Sequence, residues 1–226
     1  MSGARPVSGP TPPGLPGGAA ADLVEETFAI GGRRVTLIRP RDGDALLDEV
    51  LAEDDPADDR LPFWAELWPS GSALAADLAG RDLAGTRVLE LGCGLGLVSV
   101  TAAGAGADVL AADQSEDAIA FTTANAGRNG VFVRTVRCTF EQPDPLIAEA
   151  PWDLVLAADV LYEPATVPVL VGLLPRLVAP GGEVLVADPG RPREPEFLAG
   201  VDRAYWRRES VPAAGTVTIH RLTRVR

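Results

Sequence analysis

Three carboxylates in this chain stand where α/β folds do their chemistry. Glu90 sits near the end of the apolar run Val88-Leu-Glu-Leu91, Asp113 closes Asp108-Val-Leu-Ala-Ala-Asp113, and Asp159 follows the run Leu154 to Ala158. The turn Gly92-Cys-Gly-Leu-Gly96 follows the first run directly. Glycine is needed where a backbone turns sharply and lies close to a ligand. A helix that starts after such a turn offers free backbone N–H groups. In open α/β sheets ligands bind beyond the carboxyl ends of the strands, at the point where strand order reverses. Glu90, Asp113, Phe140 and Asp159 all fall at or just past expected strand ends, so they should meet in one crevice.

Two adenosine-type ligands compete for that turn. A dinucleotide fold wants G-x-G-x-x-G, so that a pyrophosphate can rest on the helix N-terminus. Here Leu97 stands where the third glycine should be. Glu90 would repel a pyrophosphate but suits the cationic amino-acid end of S-adenosylmethionine. Asp113, roughly 20 residues further on, can accept both hydroxyls of a ribose. The ordinary alternative is a tight strand-to-helix turn whose glycines serve packing alone.

These residues resemble the first motif of the class I, seven-β-strand S-adenosylmethionine-dependent methyltransferases. Asp159-Val-Leu-Tyr162 resembles the D-x-x-Y/F motif of the branch that holds many protein lysine methyltransferases. Phe63-Trp-Ala-Glu-Leu-Trp-Pro-Ser-Gly71 and Asp188-Pro-Gly-Arg-Pro192 are similar to segments of the electron-transfer flavoprotein β-subunit methyltransferase group, some bacterial relatives of which carry the looser label of nicotinamide N-methylase. The resemblance spans roughly Leu61 to Pro192. It implies that Trp68, Glu90, Gly92, Cys93, Gly94, Gly96, Asp113, Gln114, Phe140 and Ala158 hold S-adenosylmethionine and its product S-adenosylhomocysteine, with no metal. It implies that Asp159 holds and orients an incoming amine. Tyr162 and Trp64 would line the acceptor's path, where rings favour a cation. The alternatives are a helix N-cap for Asp159 and core packing for Tyr162 and Trp64. This chain departs from the family in having Thr139, not an acid, before the aromatic Phe140. Cys93 reads as a small residue filling the glycine turn, and His220 as a surface residue on the last strand.

The elements that must position these groups follow from periodicity. Strands over 87–91, 108–112, 131–138, 154–158 and 183–187 alternate with helices over 96–104, 115–129 and 164–178. Such alternation predicts a parallel sheet with right-handed crossovers. Residues 204–211 and 216–224 read as a closing antiparallel hairpin. The expected fold is therefore α/β: one Rossmann-like, doubly wound, mostly parallel seven-stranded sheet over residues 61–226. Ser70 or Ser72 should cap a helix running to about Leu78. An N-terminal extension over 21–60 should hold a hairpin (Glu25 to Ile30, Arg33 to Ile38), a short helix (Asp44 to Leu51) and an acidic loop (Glu53 to Asp59). Residues 1–20, rich in Pro, Gly and Ser, read as a disordered tail.

Composition narrows the function. A chain of 226 residues suffices for one domain with a sizeable core. A net charge of −12 argues against nucleic acid as partner. No apolar run reaches the ~20 residues of a membrane helix, and no signal-peptide pattern is present. Two cysteines without metal or disulfide spacing suit a reducing cytoplasm. A monomer is expected. Lysine is absent altogether, so neither a Walker-A nor a Schiff-base lysine exists. The expected activity is N-methylation of a protein lysine. A nicotinamide-like small-molecule acceptor, or a non-catalytic adenosine-binding role, stands as the alternative.

Overall fold

The computed structural model describes residues 4–7, 15, 22–42, 46 and 62–225. Its chief element is a seven-stranded sheet. In chain order the strands of the molecule are β1 (Arg5–Pro6), β2 (Leu23–Ile30), β3 (Arg33–Pro40), β4 (Arg87–Leu91), β5 (Asp108–Asp113), β6 (Arg134–Arg137), β7 (Trp152–Ala158), β8 (Val178–Asp188), β9 (Trp206–Pro212) and β10 (Thr218–Arg224). The large sheet has the order β6-β5-β4-β7-β8-β10-β9. β4 to β8 pair in parallel, while β10 runs antiparallel to both β8 and β9. Strand order reverses between β4 and β7, which opens a crevice at their carboxyl ends.

The strands of the centre are apolar on both faces because both faces are covered. Val88, Val109, Ala111, Leu154 and Leu156 point into one core layer. Leu89, Leu91, Leu110, Ala112, Val155 and Ala157 point into the other. Helices α1 (Pro69–Ala79), α2 (Leu97–Gly104) and α3 (Glu116–Arg128) cover the first layer, contributing Leu74, Leu78, Val98 and Ala126. Helices α4 (Asp144–Ala148), α5 (Thr166–Leu177) and α6 (Glu194–Gly200) cover the second, with Leu146, Leu170, Leu174 and Phe197. α3 is well specified locally. Ser115 caps it by accepting from Ala118 N–H at 3.3 Å, with Glu116 and Asp117 in its first turn and Arg128 in its last. Those charges complement the helix dipole.

The N-terminal hairpin β2–β3 docks on this domain through side-chain amides. Ile38 N–H donates to Asn125 Oδ1 at 2.7 Å, and Asn125 Nδ2 donates to the carbonyls of Ile38 and Leu95 at 3.1 and 2.9 Å. Asn129 treats Thr36 in the same way. The edge of β3 thus pairs with the side of a helix instead of with a strand.

Several expectations change at this level. α1 is not capped by Ser70 or Ser72: Trp68 is its N-cap, Pro69 is its first residue, and Ser70 is buried. Proline suits that position because its missing N–H would have no partner there. β6 is shorter than the expected 131–138, while β7 and β8 start earlier, at Trp152 and Val178. α4 and α6 were not expected; both are shorter than two turns and too brief to show a helical period. Arg5 and Pro6, expected in the disordered tail, pair antiparallel with Glu25 and Val24. Most of residues 1–20, the acidic loop and all but Leu46 of the expected helix at 44–51 lie outside the described residues.

Candidate active site

The glycine turn is shaped by two close approaches. Gly96 has φ +80°, and a Cβ there would lie 2.7 Å from Thr122 Oγ1 on α3. A Cβ on Gly94 would lie 3.1 Å from the backbone oxygen of Trp64. The turn therefore sits tight against α3 and the 3₁₀ turn Phe63–Ala65, leaving its outer face to a crevice. That crevice encloses about 1160 Å³ of empty space, part of it open to solvent. Every sequence-derived candidate except Gly96 lines it: Trp64, Trp68, Glu90, Gly92, Cys93, Gly94, Asp113, Gln114, Phe140, Ala158, Asp159 and Tyr162. Gly96 faces α3, so its contribution is to the packing of the turn.

Six carboxyl groups line the crevice: Glu66, Glu90, Asp113, Glu141, Asp159 and Glu163. No lysine, arginine or histidine is among the lining residues described. Glu90 is 2% exposed and accepts a hydrogen bond from Ser99 Oγ on α2. Burial pushes its carboxyl up to about 8 from the ordinary 4.5, against the opposing effect of Ser99. Asp113 is also raised by burial, opposed by backbone N–H donors. Its Oδ2 accepts from Gly94 N–H and its Oδ1 from Ser115 N–H, both at 2.9 Å. These bonds fix the carboxylate and leave each oxygen a further lone pair toward the crevice. Cys93 is buried, and its thiol is raised well above its usual range by that burial. It receives a contact from Thr122 Oγ1 at 3.4 Å, which fits a space-filling residue.

The far end of the crevice is aromatic. Trp68, Phe63 and Tyr162 are all substantially exposed. Phe63 and Tyr162 meet edge to face with ring centres 5.8 Å apart, and Trp68 Nε1 donates to the Phe63 carbonyl at 2.9 Å. Burial of its hydroxyl end pushes Tyr162 up to about 12, so it stays neutral. Tyr162 lies in a turn, although its three-residue spacing from Asp159 would place it about one turn along a helix. Trp64 and Trp68, whose four-residue spacing would put them on one helical face, do not share a helix: Trp64 is in the 3₁₀ turn and Trp68 is the N-cap of α1. Trp64 stacks at 5.1 Å on Phe121, so the core role and the lining role coincide. Phe140 is half-buried at the crevice wall beside Thr139.

Asp159 is not a helix N-cap, since α5 begins seven residues later with Ala165 before it. It is the one described non-glycine residue with positive φ, at 60°. Its backbone N–H donates to the Ala187 carbonyl at 2.9 Å. Its Oδ2 accepts from Ser70 Oγ at 3.1 Å, and its Oδ1 from Arg191 Nε at 2.7 Å. Arg191 Nη2 also lies 2.7 Å from Oδ1. Strain of this kind in a non-glycine residue persists only where the surroundings over-determine it, as at functional sites. Ser70, Ser99 and Arg191 carry contacts that sequence reasoning did not assign. Arg191 stood inside a quoted motif, while nothing in the sequence marks Ser99 as the partner of Glu90.

His220, expected at the surface, is 1% exposed. The antiparallel β10 it occupies is interior, between β8 and β9. Its Nδ1 pairs with Ser210 Oγ at 2.8 Å and its Nε2 lies 2.8 Å from Glu194 Oε1. It lies outside the crevice lining.

A reversing parallel sheet with an acid-lined crevice at its switch point has the fold of the class I methyltransferases. Solved structures of that class superpose on it. The N-methyltransferase NodS of Bradyrhizobium japonicum in complex with S-adenosyl-L-homocysteine matches with a TM-score of 0.58 at 17% identity, covering 81% of this chain and 99% of that one. The 16S rRNA methyltransferase RsmC of T. thermophilus matches with a TM-score of 0.60 at 17% identity, over 88% and 50%. More narrowly, the chain belongs to the lysine methyltransferase family, whose model matches residues 64–204. It is 33% identical over 135 residues to the electron transfer flavoprotein beta subunit lysine methyltransferase of Xenopus laevis, covering 58% of this chain and 53% of that one. It is 37% identical over 123 residues to the ubiquinone biosynthesis O-methyltransferase of Rhizobium etli, covering 54% and 48%. The chain spans about half the length of these two curated relatives.

Proposed function

We propose that this protein transfers a methyl group from S-adenosylmethionine to the side-chain nitrogen of a lysine in a protein. The observation that carries this reading is the crevice lining: six carboxyl groups and no base among the described residues. Such a lining favours cations, and both the cofactor's amino-acid end and a lysine ammonium are cationic. It is hostile to a dinucleotide's pyrophosphate.

The residues present fit the cofactor. Glu90, at the mouth of the glycine turn, would take the ammonium of the amino-acid end, giving up its proton as the cation arrives. Asp113, fixed by two backbone N–H groups, would accept the ribose hydroxyls, with Phe140 against the adenine. The cofactor would supply a methyl on a sulfonium, activated for in-line displacement. The protein's own work is then positioning and exclusion of water. The lysine must attack as a neutral amine. Phe63, Trp68 and Tyr162 would guide its aliphatic stem, while Asp159 would orient the nitrogen through the lone pair that Ser70 leaves on Oδ2, the oxygen Arg191 does not touch.

A small-molecule acceptor is the second reading, favoured by the likeness to a ubiquinone biosynthesis O-methyltransferase. The experiment separates the two. Purified protein is incubated with methyl-labelled S-adenosylmethionine and an extract of the producing organism, and the products are split into macromolecular and small-molecule fractions. We expect methyl-lysine in protein, falling at least tenfold with Asp159→Ala, an ordinary loss for a group orienting the nucleophile. The enzyme itself has no lysine, so side-chain methyl-lysine can come only from an acceptor. Label confined to small molecules, or an Asp159→Ala protein as active as the wild type, overturns the reading.

A further inference from the structure

Arg191 lies outside the crevice lining, yet it grips the carboxylate that the acceptor amine is to meet. Its loop is clamped on both sides. Asp188 Oδ1 accepts from the N–H groups of Gly190 and Arg191 at 2.8 and 2.6 Å. Beyond the loop, Glu194 N–H donates to the Arg191 carbonyl at 3.0 Å, and Glu194 Oε1 lies 2.8 Å from His220 Nε2 in the core. The guanidinium itself stacks over the Trp68 ring at 5.4 Å. Held at the loop backbone, at the carboxylate and at the ring, Arg191 is built to stay when an acceptor enters.

A lone carboxylate at this place would serve an amine badly. It would hold the ammonium form firmly and raise the pH at which the reactive neutral amine appears. The rest of the neighbourhood pushes the same way. Asp188 from β8, Glu163 beside the neutral Tyr162, and Asp113 from β5 all add negative charge there. Glu66 and Glu141 add more along the crevice. Arg191 is the one cation that touches Asp159 among the described residues.

We propose that Arg191 is a positioning residue that cancels the charge of Asp159. The bound lysine then sheds its proton to water in the open crevice nearer neutral pH, while the second oxygen of Asp159 still orients the nitrogen. The proposal rests on the lysine methyltransferase reading and deepens it.

The test is the pH dependence of methyl-lysine formation at saturating acceptor extract, where the rate reports groups in the bound complex. The proteins compared are wild type, Arg191→Gln and Arg191→Lys, each first shown to be stabilised against heat by S-adenosylhomocysteine. Removing one unit charge beside the amine should move the rising limb of Arg191→Gln up by about one pH unit, a roughly tenfold loss on the acid side that vanishes at high pH. Arg191→Lys keeps the charge and should keep the wild-type midpoint, even if its plateau falls. A merely structural role for Arg191 lowers the plateau without moving the midpoint, and that result overturns the proposal alone. Absence of methyl-lysine from wild type at every pH, with S-adenosylhomocysteine still bound, overturns the underlying reading and the proposal with it.

Discussion

Replacing Glu90 by glutamine should make the protein more stable and a poorer binder of its cofactor. Glu90 is fully enclosed, and burial holds its carboxyl at about 8 instead of 4.5. Between those values the folded protein keeps a proton that the unfolded chain releases. Stability therefore falls as pH rises through that window. Each pH unit is worth about 1.36 kcal/mol, so at pH 7 the penalty reaches about 3 kcal/mol, while near pH 4.5 it is close to zero. Glutamine resembles the protonated acid, still accepts from Ser99, and never has to ionise. For a chain of this size 1 kcal/mol moves the melting temperature by about 2–4 °C, so Glu90→Gln should melt about ten degrees above wild type at pH 7. The assay is thermal melting of both proteins from pH 5 to 8.5, without and with S-adenosylhomocysteine. The melting advantage should grow with pH, and the ligand should bind Glu90→Gln at least tenfold more weakly, the ordinary worth of a charge-assisted hydrogen bond. A difference that is flat with pH, or a variant less stable than wild type at pH 7, refutes the argument from burial. Unchanged ligand affinity refutes the role given to Glu90.

Two further substitutions probe the supports of the site. Gly96→Ala combines a φ of +80° with a Cβ 2.7 Å from Thr122 Oγ1; it should cost at least about 2 kcal/mol, read as a lowered melting temperature, and weaken S-adenosylhomocysteine binding as the turn shifts. Asn125→Ala removes two hydrogen bonds to Ile38 of the β2–β3 hairpin and one to Leu95 of the glycine turn; it should cost about 2–3 kcal/mol and expose the Ile38 amide to hydrogen exchange, while a protected Ile38 amide would show that the Asn129–Thr36 bonds and apolar contacts hold the hairpin without Asn125.

What could be read from residues alone follows a physical division. The buried parallel strands announce themselves because a two-faced core demands unbroken apolar runs such as Leu154–Ala158. The glycine turn does so because its backbone tolerates little else at Gly94 and Gly96. α4 and α6 were invisible since helices of five and seven residues carry too few turns for a periodic face. The entry to α1 misled because two serines stand just where a cap is wanted, yet Pro69 starts the helix and draws Ser70 inward to Asp159. His220 misled for a topological reason: the last strand in sequence is not the last strand of the sheet. The partners of the three carboxylates were the least legible part. Ser99 is 9 residues from Glu90, Gly94 is 19 from Asp113, and Arg191 is 32 from Asp159. Contacts of that separation are made by tertiary structure and leave no local pattern.

On the proposed reading, the two halves of the site use charge in opposite ways. At the cofactor end, Glu90 and Asp113 are buried without a cationic partner, and burial raises both. That arrangement costs stability in the free protein and is relieved when a cation arrives, so it selects a positively charged ligand. At the acceptor end, Asp159 already has its cation in Arg191. An arriving ammonium there gains less from Asp159 itself, so the stem of the lysine against Phe63, Trp68 and Tyr162 would carry more of the binding. Such a seat recognises the side chain by shape and leaves its nitrogen free to lose a proton. On the same reading the choice of protein would fall to surfaces around the crevice mouth, where Glu66, Glu141 and Glu163 are exposed. A lysine within a basic neighbourhood fits that rim better than one flanked by acids.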